Sequence, residues 1–164
     1  FGIFVIGPML VVFKLKIISN TKVKEYLLSW FFKNISIESF LEMANLYSLN
    51  RIDKITRQSA MQKISWHKKQ GDTVVIVSAS PKYWLEPWCA KNGLALLATK
   101  LEIKKGVITG KISGRNCYGD EKARRISEAY DLEKFDYIYA YGDSIGDREM
   151  LGLANHKFYK FFKD

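Results

Sequence analysis

The sequence predicts an α/β fold, a parallel sheet wrapped by helices, preceded by a helical, apolar region. Two observations carry this. From residue 53 onward, stretches of helical spacing alternate with short apolar runs, the pattern of a sheet whose strands are joined by helices. Two of those runs, residues 73–77 and 137–141, are unbroken, as expected of strands covered on both faces. Each of the two runs leads into polar residues: Ser78 after the first, Asp143 and Asp147 after the second. In an open α/β sheet the carboxyl ends of the strands form the ligand crevice, so one hydroxyl and two carboxylates are expected to converge.

In chain order, residues 1–50 read as helical and strongly apolar. Trp30, Phe31, Phe32, Ile35, Phe40, Leu41 and Met43 recur at helical intervals, and Ser36 is placed to cap a helix through the forties. A second helix spans residues 53–70, with Gly71 as its stop. After strand 73–77, Ser80 and Pro81 have the cap-then-proline order that opens a helix, and Gly93 closes it. Residues 96–103 and 107–112 form a hairpin through Lys104, Lys105 and Gly106. Asp120 caps a helix to about Tyr130, and Asp147 begins the last one.

Bulk composition narrows the function classes only partly. The 164 residues suit one domain of ordinary size, or one core plus a small accessory lobe, and 48% hydrophobic residues suffice for a core. There is neither an internal repeat nor a low-complexity segment. A formal charge of +9 reads first as a solvated basic exterior, and otherwise favours polyanions, anionic membranes or phosphorylated substrates without choosing among them. The basic residues are scattered and no nucleic-acid module is recognisable, which argues against nucleic acid. Cys89 and Cys117 lack metal-clip spacing and read as reduced thiols of a cytoplasmic protein, with a single bridge in another compartment as the alternative. The uncharged run of 13 residues at the start is short of the roughly 20 needed to span a bilayer. It also lacks the leading charge and cleavage site of a signal peptide. Because the chain begins with Phe1 and not Met, the natural protein is expected to extend upstream.

Asp143 and Asp147 lie one turn apart, with Gly142 and Gly146 allowing a tight backbone between them. Such oxygen ligands suit magnesium, which takes few protein carboxylates when phosphate is present. Either aspartate could also merely end a strand or cap a helix. Ser78 and the amides after it, including that of Ala79, can hold a phosphoryl oxygen. With Ser80 as the cap, Ser78 is left without a structural task. Lys122 sits in a helix's first turn, unfavourable against the dipole unless it reaches an anion. His67 and His156 show no partner pattern, and His67 reads as the exposed end of a helix. No Gly-x-Ser-x-Gly, P-loop or dinucleotide signature is present.

Taken in order, these residues resemble the haloacid dehalogenase (HAD) superfamily of phosphohydrolases, in its phosphoserine-phosphatase-like branch, subfamily IB. The run ending at Ser78 is similar to the family's second motif, whose hydroxyl binds phosphate. Lys122, following Gly119, Asp120 and Glu121, is similar to the third. Asp143 and Asp147, in Gly-Asp-Ser-Ile-Gly-Asp, resemble the fourth, whose first aspartate binds magnesium and whose second supports the metal's surroundings. The first motif, Asp-x-Asp-x-Thr, which supplies the nucleophile, is absent, and the resemblance places it upstream of Phe1.

The resemblance implies a helical cap over residues 1–52 and a HAD-like core over 53–164 lacking its first, central strand. Strands 73–77 and 137–141 should then face a gap. It further implies a magnesium-dependent phosphomonoester hydrolase working through an aspartyl-phosphate. Ser78 and Lys122 would be catalytic, Ser78, Ala79 and Lys122 phosphate-binding, and Asp143 and Asp147 at the metal. The implied substrate is a small phosphorylated metabolite or a lipid headgroup, the latter with peripheral contact to an anionic membrane. A degenerate phosphate-binding protein without catalysis, or a basic nucleic-acid-binding protein, are the alternatives.

Overall fold

A computed structural model describes residues 19–162. The expectations for residues 1–18, as part of a cap or a membrane contact, lie outside the described residues. The chain forms two compact units: Phe1–Phe40 with Leu101–Gly114, and Leu41–Lys100 with Arg115–Asp164. The division is therefore not a single cut in the sequence, because the hairpin joins the N-terminal helix.

In the first unit, helix α1 (Asn20–Phe32) starts where the Ser19 hydroxyl accepts the Lys22 N–H at 3.3 Å. Val23 and Leu28 are its buried residues. It lies directly on strand β3 (Val107–Ser113), and Gly110 is why it can: a Cβ there would sit 2.4 Å from the Ser29 Cα. Helix α2 (Ile37–Ile55) begins after Ser36, whose hydroxyl accepts the Ser39 N–H at 3.2 Å. That is the cap expected of Ser36. Strand β2 (Ala95–Lys104) turns into β3 through Lys105 and Gly106, both at positive φ, the conformation of a tight hairpin turn.

In the second unit, helix α3 (Gln58–Lys69) ends at Gly71, whose φ of 83° takes the chain into a left-handed turn. Strand β1 runs Val75–Pro81, pairs in parallel with β2, and is followed by helix α4 (Lys82–Lys91). The strand is longer at its carboxyl end than the apolar run suggests. Ser78 therefore lies within it, and the register against β2 shifts between Ser78 and Pro81. Ser80 is still in the strand and does not cap α4, whose N-cap is Pro81 with no side-chain bond. Helix α5 (Asp120–Ala129) likewise takes Gly119 as N-cap; Asp120 is its first residue and pairs with Arg115. Strand β4 (Tyr139–Gly142) pairs in parallel with β5 (His156–Tyr159), and helix α6 (Arg148–Gly152) lies between them in sequence. A core of Ile52, Trp88, Cys89 and Leu94 packs with Ile76, Leu96, Met61 and Ile64 from β1, β2 and α3.

The sheet comes in two pieces, β1-β2-β3 and β4-β5. Residues 73–77 and 137–143 line one cleft of about 580 Å³, with Ile64 and His67 of α3 and Lys122 and Ile126 of α5 also on its walls. Among the described residues, no strand lies between β1 and β4.

Candidate phosphate site

Lys122 is the centre of the site. Its ammonium donates to the Val77 carbonyl oxygen at 2.9 Å and to Asp147 Oδ1 at 2.6 Å. It thus ties the backbone beside Ser78 on β1 to the loop after β4. Only 8% of Lys122 and 5% of Asp147 is exposed, and charges so buried persist only when paired. An ammonium has three donors; the third is uncommitted among the described residues, and the side chain lines the cleft. The placement that looked wrong for a lysine on a helix's first turn is explained by this carboxylate partner.

Asp147 closes a 3₁₀ turn, Ile145–Asp147, and is the N-cap of α6, though its side chain makes no cap bond to that helix. Its Oδ2 accepts the Asp143 N–H at 3.2 Å, the Ser144 N–H at 3.0 Å and the Ser144 hydroxyl at 2.7 Å. Burial pushes its carboxyl up, but the Lys122 ammonium and the Ser144 groups outweigh that and hold it below the usual carboxylate value. Both motif glycines have a steric reason. A Cβ at Gly142 would sit 2.6 Å from the Asp147 Cβ, and one at Gly146 would lie 2.2 Å from the Tyr118 ring. The loop is therefore wrapped around the Asp147 side chain.

Asp143 is exposed and lines the cleft; its carboxylate has no hydrogen-bond partner among the described residues. Ser78 is half-buried, and its hydroxyl accepts the Ser80 N–H at 3.1 Å, so it does have a local structural task. The Thr99 hydroxyl donates to the Ala79 carbonyl oxygen at 2.7 Å and accepts the Cys117 N–H at 3.0 Å. This fixes the irregular end of β1. Ser78 and Ala79 on β1, Lys122 on α5, and Asp143 and Asp147 after β4 are linked through Val77–Lys122–Asp147–Asp143, at the carboxyl ends of β1 and β4.

The chemistry of this donor set fits magnesium in part. Asp143 offers an open carboxylate, whereas both oxygens of Asp147 are already engaged. No group of three or more His, Cys, Asp or Glu side chains is gathered for a metal among the described residues. A magnesium ion that keeps its waters and takes one or two carboxylates does not need such a group.

Two further sets of residues escaped sequence reasoning. His67, read as an exposed helix end, is 7% exposed. Its Nδ1 is 2.6 Å from Asp72 Oδ2 and its Nε2 2.9 Å from the Tyr141 hydroxyl, so it joins α3 to β4. The Tyr141 hydroxyl is pushed up to about 12 by burial. A histidine followed five residues later by an aspartate across a glycine turn was the available signal. Glu121, 1% exposed, receives Arg124 and Arg125 at 2.6 and 2.8 Å on Oε1 and Arg115 at 3.4 Å on Oε2. The Arg124 bond, with Arg125, holds its carboxyl down to about 2. This network anchors the start of α5, and with it Lys122.

A parallel-rich sheet flanked by helices, with a lysine–aspartate pair at the strand ends, is an open α/β core whose candidate site lies where such sheets bind ligands. The profile of the haloacid dehalogenase-like hydrolases matches residues 12–152, and the chain belongs to that family. It is similar to Protein CicA of Caulobacter vibrioides, 28% identical over 165 residues that cover 99% of this chain and 73% of the relative. A crystal structure of a Bordetella pertussis protein of unknown function superposes with a TM-score of 0.78 at 20% identity, over 90% of this chain and 69% of the other. A phosphoserine phosphatase solved as a phospho-aspartyl intermediate analogue superposes at 0.65 and 20% identity, over 90% and 75%. No described helix is long and apolar enough to cross a membrane.

Proposed function

We propose that the chain is the phosphate-binding and metal-binding part of a magnesium-dependent phosphomonoester hydrolase that works through an aspartyl-phosphate. The observation that carries this reading is the Lys122 ammonium, buried between the Val77 carbonyl oxygen and Asp147, beside an Asp143 whose carboxylate is open to the cleft. In this reading Ser78 and the Ala79 amide receive phosphoryl oxygens, and Lys122 offsets their charge with its remaining donor. Asp147 keeps Lys122 and the loop in register. Asp143, with Asp147 bracing it, would hold magnesium, whose role is to neutralise charge on the transferring group. The nucleophilic aspartate is expected on a segment upstream of Phe1 that enters the cleft between β1 and β4 as a parallel strand. There it would pair with both strand edges and arrive beside Lys122. The region of residues 1–52 acts as the substrate-selecting cap.

The substrate is a small phosphorylated metabolite or a lipid phosphate. The half-exposed Trp30 and Phe31 on α1 favour testing the second. Depletion of the chain by vesicles containing anionic lipid, and its loss on removing residues 1–18, would support a headgroup substrate; no depletion leaves the soluble metabolite. The reading as a whole is tested by calorimetric titration of methyl phosphate in magnesium buffer. The chain should bind it, and Lys122→Met should weaken binding by about tenfold or more, the worth of a charge-assisted hydrogen bond. Unchanged affinity in that variant overturns the assignment. The 164 residues alone should release no phosphate from esters, and the protein extended upstream should.

A further inference from the structure

Helix α1 turns one side to β3 and leaves another bare. On the packed side Ser29 meets Gly110, and Glu25 Oε1 accepts the Ile112 N–H at 2.9 Å. Lys22, Tyr26, Trp30 and Lys33 follow at spacings of four, four and three, which sets them in one row along the helix. All four are exposed, Trp30 by 52%, and its ring stacks on that of Tyr26 with centroids 6.5 Å apart. Phe31, beside Trp30, is 55% exposed.

The hairpin turn lies at the same end of this unit as Trp30. The Asn34 N–H donates to the Ile108 carbonyl oxygen at 2.9 Å, and the Ile37 N–H to that of Gly106 at 2.8 Å. An antiparallel bridge joins Ser36 to Val107. The chain leaving α1 is thereby strapped to the turn, so Lys33 shares that end with the exposed Lys104 and Lys105. Lys104 pairs with Glu102 at 2.9 Å, whereas Lys22, Lys33 and Lys105 have no acidic partner among the described residues. Against these lysines stand Glu25, Glu38 and Glu102, of which the first and last are already engaged.

Exposed rings set among unpaired lysines suit the boundary of an anionic bilayer. There a tryptophan lies at headgroup level and each lysine is drawn to the negative surface. A nucleic acid or an acidic peptide would use the same cations. Neither rewards covering the exposed Ile103 of β2, which can form no hydrogen bond and stack on no base; lipid does, by taking apolar surface out of water. We propose that the exposed row of α1 and the hairpin turn are a docking surface for an anionic membrane, with α1 lying along the bilayer. The surface belongs to a different unit from Lys122 and Asp143, and it does not depend on the phosphatase reading.

The test is co-sedimentation of the 164-residue chain with mixed phosphatidylserine and phosphatidylcholine vesicles. The chain should bind these, and bind phosphatidylcholine vesicles far less. Lys33→Gln/Lys105→Gln should weaken binding about tenfold or more, the combined pull of two lysines at a charged surface. Trp30→Ala/Phe31→Ala should weaken it about tenfold as well. The lysine pair, at exposed side chains, guards against misfolding of the aromatic pair. Residues 1–18 are present in every protein compared, so a loss belongs to the surface named. Both lipids are phosphodiesters, and an excess of methyl phosphate, the probe of the phosphate site, should leave vesicle binding unchanged. No binding to the mixed vesicles, full binding by either variant, or displacement by methyl phosphate overturns the proposal. Unchanged vesicle binding with lost affinity for a single-stranded oligonucleotide in the lysine pair overturns it too, and gives the surface to a nucleic acid.

Discussion

Gly146 and Asp147 illustrate how much of the site depends on single atoms. Since a Cβ at Gly146 would lie 2.2 Å from the Tyr118 ring, Gly146→Ala must push that ring aside. The cost expected of such overpacking is about 1–3 kcal/mol. Tyr118→Ala should relieve the clash, so the double variant should lose less than the sum of the two singles; additive losses in chemical denaturation would refute the contact. The carboxylates add an acid dependence. Both Asp147 and Glu121 titrate lower in the fold than when unfolded. Each therefore stabilises the protein above its unfolded value, and that stability drains away as pH falls through the folded one. For Glu121 the window runs from 4.5 down to about 2. Glu121→Gln should flatten the stability curve in that window. It should also cost on the order of 2–4 kcal/mol at neutral pH, because three arginines lose their buried partner. A curve that keeps its acid slope would contradict this.

At the scale of elements, α3 and β4 are joined by Asp72–His67–Tyr141. Tyr141→Phe leaves the buried His67 Nε2 without its partner, and a loss of about 1–2 kcal/mol is expected. Replacing His67 with Phe as well removes both polar ends, so a double-mutant cycle should show clear coupling, measurable by denaturant midpoints. Zero coupling would mean the bond is incidental. This contact marks the boundary of what the sequence reveals. The parallel strands, the Ser36 cap, the Gly71 stop and the hairpin follow from local chemistry, namely β-branched runs, hydroxyls and left-handed glycines. The order of Ser78, Lys122, Asp143 and Asp147 was legible for the same reason, since each adjoins such an element. What was not legible depends on pairings between distant elements. His67 reads as exposed because its partner lies 74 residues away. Ser80 and Asp120 read as caps because propensity cannot register that β1 extends through its bulge or that Arg115 captures Asp120.

For the whole molecule, the determining feature is the break between β1 and β4. Parallel strands present every second peptide unit to each neighbour, so among the described residues β1 satisfies only one of its edges, through β2, and β4 only one, through β5. The other two edges face a cleft whose walls are largely apolar, including Ile64, Val75, Ile126 and Tyr139. Unpaired peptide groups there are tolerated only where water reaches them. The two-part sheet of the described residues is what the proposed strand of the first motif would complete. Hydrogen exchange offers a direct measure. In the 164-residue chain, alternate amides of residues 75–77 and 139–141 should exchange at rates set by local opening, with small protection. The intervening amides, bonded to β2 and β5, should be far slower. Adding the upstream segment should slow the fast set by about a hundredfold or more, since a net hydrogen bond sealed into the core then opens only with the sheet. It should leave the slow set's order unchanged. If the fast set is already protected in the shorter chain, the cleft is closed by other means, and the strand-insertion route for the nucleophile fails with it.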